Sequence, residues 1–149
     1  MPRYQATVAS RRSAPDTFGY LATFSNAAEW DPGVISAGQL DPGPVRPGTR
    51  FRLIVPFLRG RLALTYEVVT LVPGREVVLA ATSTLLRATD RITVAADGDG
   101  ATVSYEASVR LRGPLRLLDG LLGPGFRAVG ERAAAGLAQA LSAPPVPRP

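Results

Sequence analysis

Cysteine, histidine and lysine are all missing from this 149-residue chain. The first absence excludes disulfide bridges, thiolate metal ligands and a thiol nucleophile, and leaves the redox compartment undetermined. The other two remove His-ligated metals, Ser-His-Asp and Cys-His arrangements, and lysine Schiff bases. Catalysis would have to run on Asp, Glu, Tyr, Ser, Thr, Arg or a bound cofactor, and no metal or cofactor is expected. Long apolar runs are also missing. No segment approaches the ~20 apolar residues of a membrane span, and Met1 to Ser10 alternates polar and apolar residues, unlike a secretory signal. The expected location is cytoplasmic.

What is present bounds the architecture. An apolar content of 46% over this length supplies one sizeable core, so residues 1–141 are expected to form a single domain. The proline-rich segment 142–149 reads as an extended tail. All 17 basic residues are arginine, against 12 acidic ones, giving a net charge of +5. Such a balance raises nucleic acid as a partner. Here the arginines are dispersed along the elements with no RNA-binding aromatic signature, so they read as solvated faces and no nucleic-acid partner is expected.

The hydrophobic pattern changes period along the chain. Tyr4, Ala6 and Val8 alternate with polar neighbours as a half-buried strand does. Ser13-Ala14-Pro15-Asp16 opens a short helix with Phe18, Leu21 and Ala22 on one face, and a second short helix runs through Ala27 to Trp30. Asp31-Pro32-Gly33 ends it. Strands follow at Val34 to Leu40, Thr49 to Val55, Leu62 to Val69, Glu76 to Thr82, Leu86 to Ala95 and Val103 to Leu111. Asp97-Gly98-Asp99-Gly100 is a strong hairpin signal. After Gly113-Pro114 the period becomes helical; Gly123-Pro124-Gly125 predicts a break or kink, and Phe126, Val129, Ala133, Leu137 and Leu141 form a helical stripe.

This order predicts an α+β fold: a curved antiparallel sheet of about seven strands wrapped around a long C-terminal helix, with two short helices between the first and second strands. It resembles the START-like superfamily, also called SRPBCC or helix-grip, in the polyketide cyclase/dehydrase and lipid-transport branch. The resemblance covers Tyr4 to about Leu141. It is carried by N-A-A-E-W-D-P-G-V at residues 26–34, the hairpin from Thr65 to Leu79, D-R-I-T-V from Asp90 to Val94, the run from Asp97 to Glu106, and Gly113 to Phe126. The resemblance implies an apolar cavity between sheet and helix for a lipid, sterol, polyketide or other hydrophobic molecule. It implies no single reaction. The iron-binding histidines of the ring-hydroxylating branch are absent here. The rival nuclear-transport-factor-like fold gathers its helices before the sheet, and the terminal helix argues against it.

Strand phase selects residues that face the cavity. If Glu67 and Glu106 face water, Tyr66 and Tyr105 point inward, where each phenol needs a partner: a backbone carbonyl or a ligand. Asp90 shares parity with Ile92 and Val94. Its carboxylate is either desolvated, with a raised pKa fit for acid or base chemistry, or paired with Arg87 or Arg91. Trp30 suits a plug at the cavity end, while Phe51 and Phe126 are candidates for the apolar wall or plain core. Gly130 and Gly136 in the last helix point to close sheet approach or to room for a ligand. A surface tip at Val55-Pro56-Phe57-Leu58, flanked by Arg50, Arg52, Arg59 and Arg61, suggests peripheral membrane contact.

Three functions follow as alternatives. The first is binding or transport of a hydrophobic small molecule, lipid- or polyketide-like. The second is an aromatase/cyclase or dehydratase-type enzyme, which resembles family members that polarise a poly-carbonyl chain; Tyr66, Asp90, Arg91 and Tyr105 are its candidate groups. Three or more polar side chains converging on one pocket favour the enzyme, and an apolar pocket with one polar end favours the carrier. The third is a protein-binding module with a solid core. Oligomeric state has no sequence signal.

Overall fold

The computed structural model of the protein describes residues 3–57 and 59–142. Seven strands form one sheet: β1 (Arg3–Ser10), β2 (Ser36–Gln39), β3 (Arg50–Phe57), β4 (Gly60–Val72), β5 (Glu76–Thr82), β6 (Leu86–Asp97) and β7 (Gly100–Leu111). Their spatial order is β1-β7-β6-β5-β4-β3-β2, with every neighbouring pair antiparallel. Five of the six pairs join consecutive strands; β1 closes the far side by pairing with β7, Arg3 opposite Ser108 and Ser10 opposite Ala101.

Alternation decides which side of the sheet is covered. Phe51 and Leu53 on β3, Leu64, Tyr66 and Val68 on β4, and Val103, Tyr105 and Ala107 on β7 are buried, while Arg52, Thr65 and Glu67 between them are exposed. Successive side chains of a strand point to opposite faces, so one face collects the apolar set. A bulge between Val68 and Thr70 shifts the β4 register and leaves Val69 outside; such an extra residue increases local twist and helps the long β4–β5 ribbon curve. The hairpins β4–β5 and β6–β7 turn at Gly74 (φ +76°) and Gly98 (φ +61°), in a left-handed conformation open to glycine.

Helix α1 (Ala14–Ala22) begins where Ser13 Oγ accepts the Asp16 backbone N–H at 3.2 Å, a side-chain cap on an otherwise unsatisfied donor. Its buried face, Thr17, Phe18, Leu21 and Ala22, lies over β6 and β7. A 3₁₀ turn (Phe24–Asn26) leads into the single turn of α2 (Ala27–Trp30). Helix α3 (Asp119–Ser142), preceded by a 3₁₀ segment (Gly113–Leu118), packs along β1 and reaches α2. Leu137 and Leu141 on α3 have no exposed surface; burying each contributes about 1.5–3 kcal/mol. The Arg11 N–H donates to the Leu141 carbonyl at 2.9 Å and holds the helix end to the β1 exit.

Two expectations change. Of the predicted break or kink at Gly123-Pro124-Gly125, the break does not occur and α3 is continuous there: a proline removes one backbone hydrogen bond, and packing of the later turns against β1 and α2 outweighs that local loss. The β3–β4 turn is also tighter than predicted. β3 extends to Phe57, opposite Gly60, and Val55 and Phe57 are half-buried against the core. Leu58 lies outside the described residues, as does the proline-rich segment beyond Ser142. Among the described residues, no helix is long and apolar enough to cross a membrane.

Candidate functional site

Polar side chains gather at the centre of the inner face. Asp90 on β6 stands opposite Leu79 of β5 and Ala107 of β7. Ala88 precedes it by two residues on the same face and pairs with Ala81 of β5. All three alanines are buried. Where larger side chains fill the rest of the face, this patch is low, and Asp90 rises from it.

Tyr105 on β7 sits diagonally across from Asp90, and its hydroxyl donates to Asp90 Oδ2 at 3.3 Å. The Trp30 ring, delivered by α2, meets the Tyr105 ring edge-on with centroids 5.6 Å apart and planes at 83°, a geometry that aligns the positive edge of one ring with the negative face of the other. Trp30 is 2% exposed and its Nε1–H has no hydrogen-bond partner among the described residues. On the other flank, Tyr66 of β4 packs edge-on to Phe24 at 5.2 Å, and Phe24 does the same to Phe51 at 6.2 Å. Tyr66, Asp90 and Tyr105 are all buried, yet the only hydrogen bond among their side chains is the single one from Tyr105 to Asp90.

One member has no signal in the strand pattern. Asp31 follows Trp30 and ends α2; its Oδ1 accepts the Gly33 N–H at 2.8 Å. Its charge reaches Tyr66, Asp90 and Tyr105, and that of Arg132 on α3 reaches Asp31 in turn. In the sequence Asp31 reads as part of a helix stop, and its loop conformation has no period from which to infer a direction.

Burial sets the electrostatics. It pushes the Asp90 carboxyl up to about 7, with the Asp31 charge adding and the Tyr105 hydrogen bond opposing. Burial likewise raises both phenols, Tyr66 and Tyr105, well above their ordinary value, and the nearby carboxylates push the same way. The Asp31 carboxyl is raised by burial too, against the Gly33 hydrogen bond and Arg132. Near neutral pH, Asp90 therefore stands between acid and base while the phenols remain donors. No cluster of three or more metal-ligating side chains occurs among the described residues.

The expected site residues divide. Trp30, Tyr66, Asp90 and Tyr105 converge; Phe51 is fully buried beyond Phe24; Phe126 is half-buried on α3 against the core. Arg91 does not join them, since it follows Asp90 by one residue and so faces the opposite side, where it pairs with Glu76. Arg87 is exposed on that outer side as well, and the partner of Asp90 is Tyr105. Gly130 and Gly136 mark close approach: a Cβ would strike the Tyr4 ring at the first and the Trp30 carbonyl oxygen at the second. Two open grooves of about 490 and 440 Å³ lie on the outer face, lined by residues such as Arg75, Glu76 and Arg91, apart from the inner cluster.

Solved structures share this fold. A START superfamily protein from Mycobacterium smegmatis aligns with a TM-score of 0.72 at 16% identity, covering 93% of this chain and 96% of that one. The Zhui aromatase/cyclase from a Streptomyces species aligns at 0.64 and 19% identity over 93% and 90%. The di-domain aromatase/cyclase BexL aligns at 0.64 and 21% identity over 96% of this chain and 50% of its own. Among curated proteins none matches the chain. Residues 1–142 match the family described as polyketide cyclase / dehydrase and lipid transport, and this chain, a seven-stranded helix-grip domain of the START type, belongs to that family.

Proposed function

We propose that the protein binds a hydrophobic small molecule, lipid- or polyketide-like, between the inner face of the sheet and α3, with an oxygen-bearing part of the ligand at Asp90. One observation carries this reading: Tyr66, Asp90, Tyr105 and Trp30 meet on an apolar, alanine-lined face with one hydrogen bond among their buried polar groups. Buried donors and acceptors are normally satisfied, and a carbonyl or hydroxyl oxygen of a bound molecule would complete this set. Binding sites of this kind pair apolar walls with few polar groups. Native mass spectrometry of protein purified from its own host, followed by solvent extraction, is the test. A co-purifying oxygen-bearing hydrophobic molecule, lost from Asp90→Ala protein, is the expected result; a ligand-free mass under gentle ionisation argues against it.

A second reading is favoured by the number of converging polar groups and by the Asp90 carboxyl near 7. A cyclase or dehydratase needs a group that gives a proton to a carbonyl or hydroxyl oxygen, or takes one from an activated carbon. Asp90 has the matching affinity, and the protonated phenols would hold the developing oxyanion. Arg91, on the outer face, has no part in it. Conversion of an aromatisable poly-carbonyl substrate that vanishes in Asp90→Asn, with binding retained, would separate enzyme from carrier.

A further inference from the structure

The topology gathers arginines without salt-bridge partners at one end of the sheet. The β3–β4 turn, the β5–β6 turn and the β7–α3 connection all lie at one end, as the pairs Phe57 opposite Gly60, Thr82 opposite Arg87 and Leu86 opposite Leu111 require. That end displays Arg59, Arg61, Arg87, Arg110 and Arg116, all exposed, and none of them enters a salt bridge among the described residues. Arg87 and Arg110 stand directly opposite each other on adjacent strands, an arrangement that like charges disfavour. The other end is mixed, with exposed Asp97 and Asp99 in the β6–β7 turn beside exposed Arg75 in the β4–β5 turn and Arg11 after β1. Between the arginines, the 3₁₀ segment anchors Leu115 against the core and turns Leu117 outward, 88% exposed.

We propose that this basic end docks on an anionic membrane surface, the arginines at the lipid headgroups and Leu117 in the acyl boundary. Unpaired arginines alone would suit any anionic partner. A large aliphatic side chain held out among them matches an interface with an apolar layer beneath the charge. The apolar element is thus Leu117 rather than the β3–β4 tip, whose Val55 and Phe57 are turned into the core. The proposal is independent of the ligand and of any catalysis.

Vesicle sedimentation tests it, with phosphatidylcholine alone or mixed with phosphatidylserine. The expected result is binding to the anionic vesicles only, weakened by added salt, and lowered about fivefold for each arginine removed in Arg87→Ser and Arg110→Ser. Leu117→Ser should lose binding at unchanged charge. Both arginine changes relieve a like-charge pair, so the variants are expected to fold, which circular dichroism checks. Equal binding to neutral and anionic vesicles, or an indifferent Leu117→Ser, overturns the proposal. Retention on polyglutamate without any vesicle binding does so too, by assigning this end to an acidic protein.

Discussion

Asp90 is the residue whose environment has the largest measurable consequence. An aspartate in the unfolded chain titrates near 3.8, whereas burial holds folded Asp90 at about 7. Below about pH 4 both states keep the proton and ionisation adds no cost. Between about 4 and 7 the unfolded chain releases it while the folded protein retains it, so stability falls as pH rises and levels off above 7. The fall is on the order of a few kcal/mol. Urea denaturation of wild type and Asp90→Asn across this range should show the difference in slope; parallel curves would mean that Asp90 is solvated. At Gly136 the sign of the effect is informative. An exposed helical glycine gains up to about 1 kcal/mol on replacement by alanine, but here the added methyl meets the Trp30 carbonyl. Gly136→Ala is expected to cost about 1–3 kcal/mol by the same denaturation. The inward phase of Tyr66, Asp90 and Tyr105 was legible because strands alternate strictly. Asp31 was not, because a loop carboxylate has no neighbour pattern that fixes its direction.

At the scale of elements, α3 is held by its last three turns. Leu137 is fully buried, and Leu137→Ala is expected to cost about 2–5 kcal/mol, the range for a deleted core leucine. A loss near zero in calorimetry would mean that the helix is not seated on the sheet. The continuity of α3 through Gly123-Pro124-Gly125 shows the limit of local rules. Propensity describes an isolated segment, and contacts with β1 and α2 act on the helix as a unit. The strands were easier to read. The long ones carry their own apolar period, and glycines at Gly74 and Gly98 mark two of their turns.

For the whole molecule, ligand occupancy and folding are linked. A ligand that binds only the folded protein stabilises it by about 2.7 kcal/mol at a hundredfold excess over Kd, so restoring the extracted molecule to stripped protein should raise Tm by a few degrees. Asp90→Ala should reduce that rise if the oxygen-bearing part of the ligand meets the carboxyl, and leave it unchanged if the ligand lies elsewhere. The arginine cluster at one end is likewise a property of the assembled sheet. Arg87 and Arg110 are far apart in the chain, and only the β6–β7 register puts them face to face.

By itself the sequence determined the element order, the inward face of the strands that carry Phe51, Tyr66, Asp90 and Tyr105, and the chemistry ruled out by the missing cysteine, histidine and lysine, because periodicity and composition are local properties. The tertiary structure alone decided that Trp30 lies against Tyr105, that Tyr105 and not an arginine meets Asp90, that the charge of Asp31 reaches Asp90, and that Gly130 and Gly136 of α3 serve close packing. These are contacts between residues distant in the chain, and strand register and helix docking bring them together.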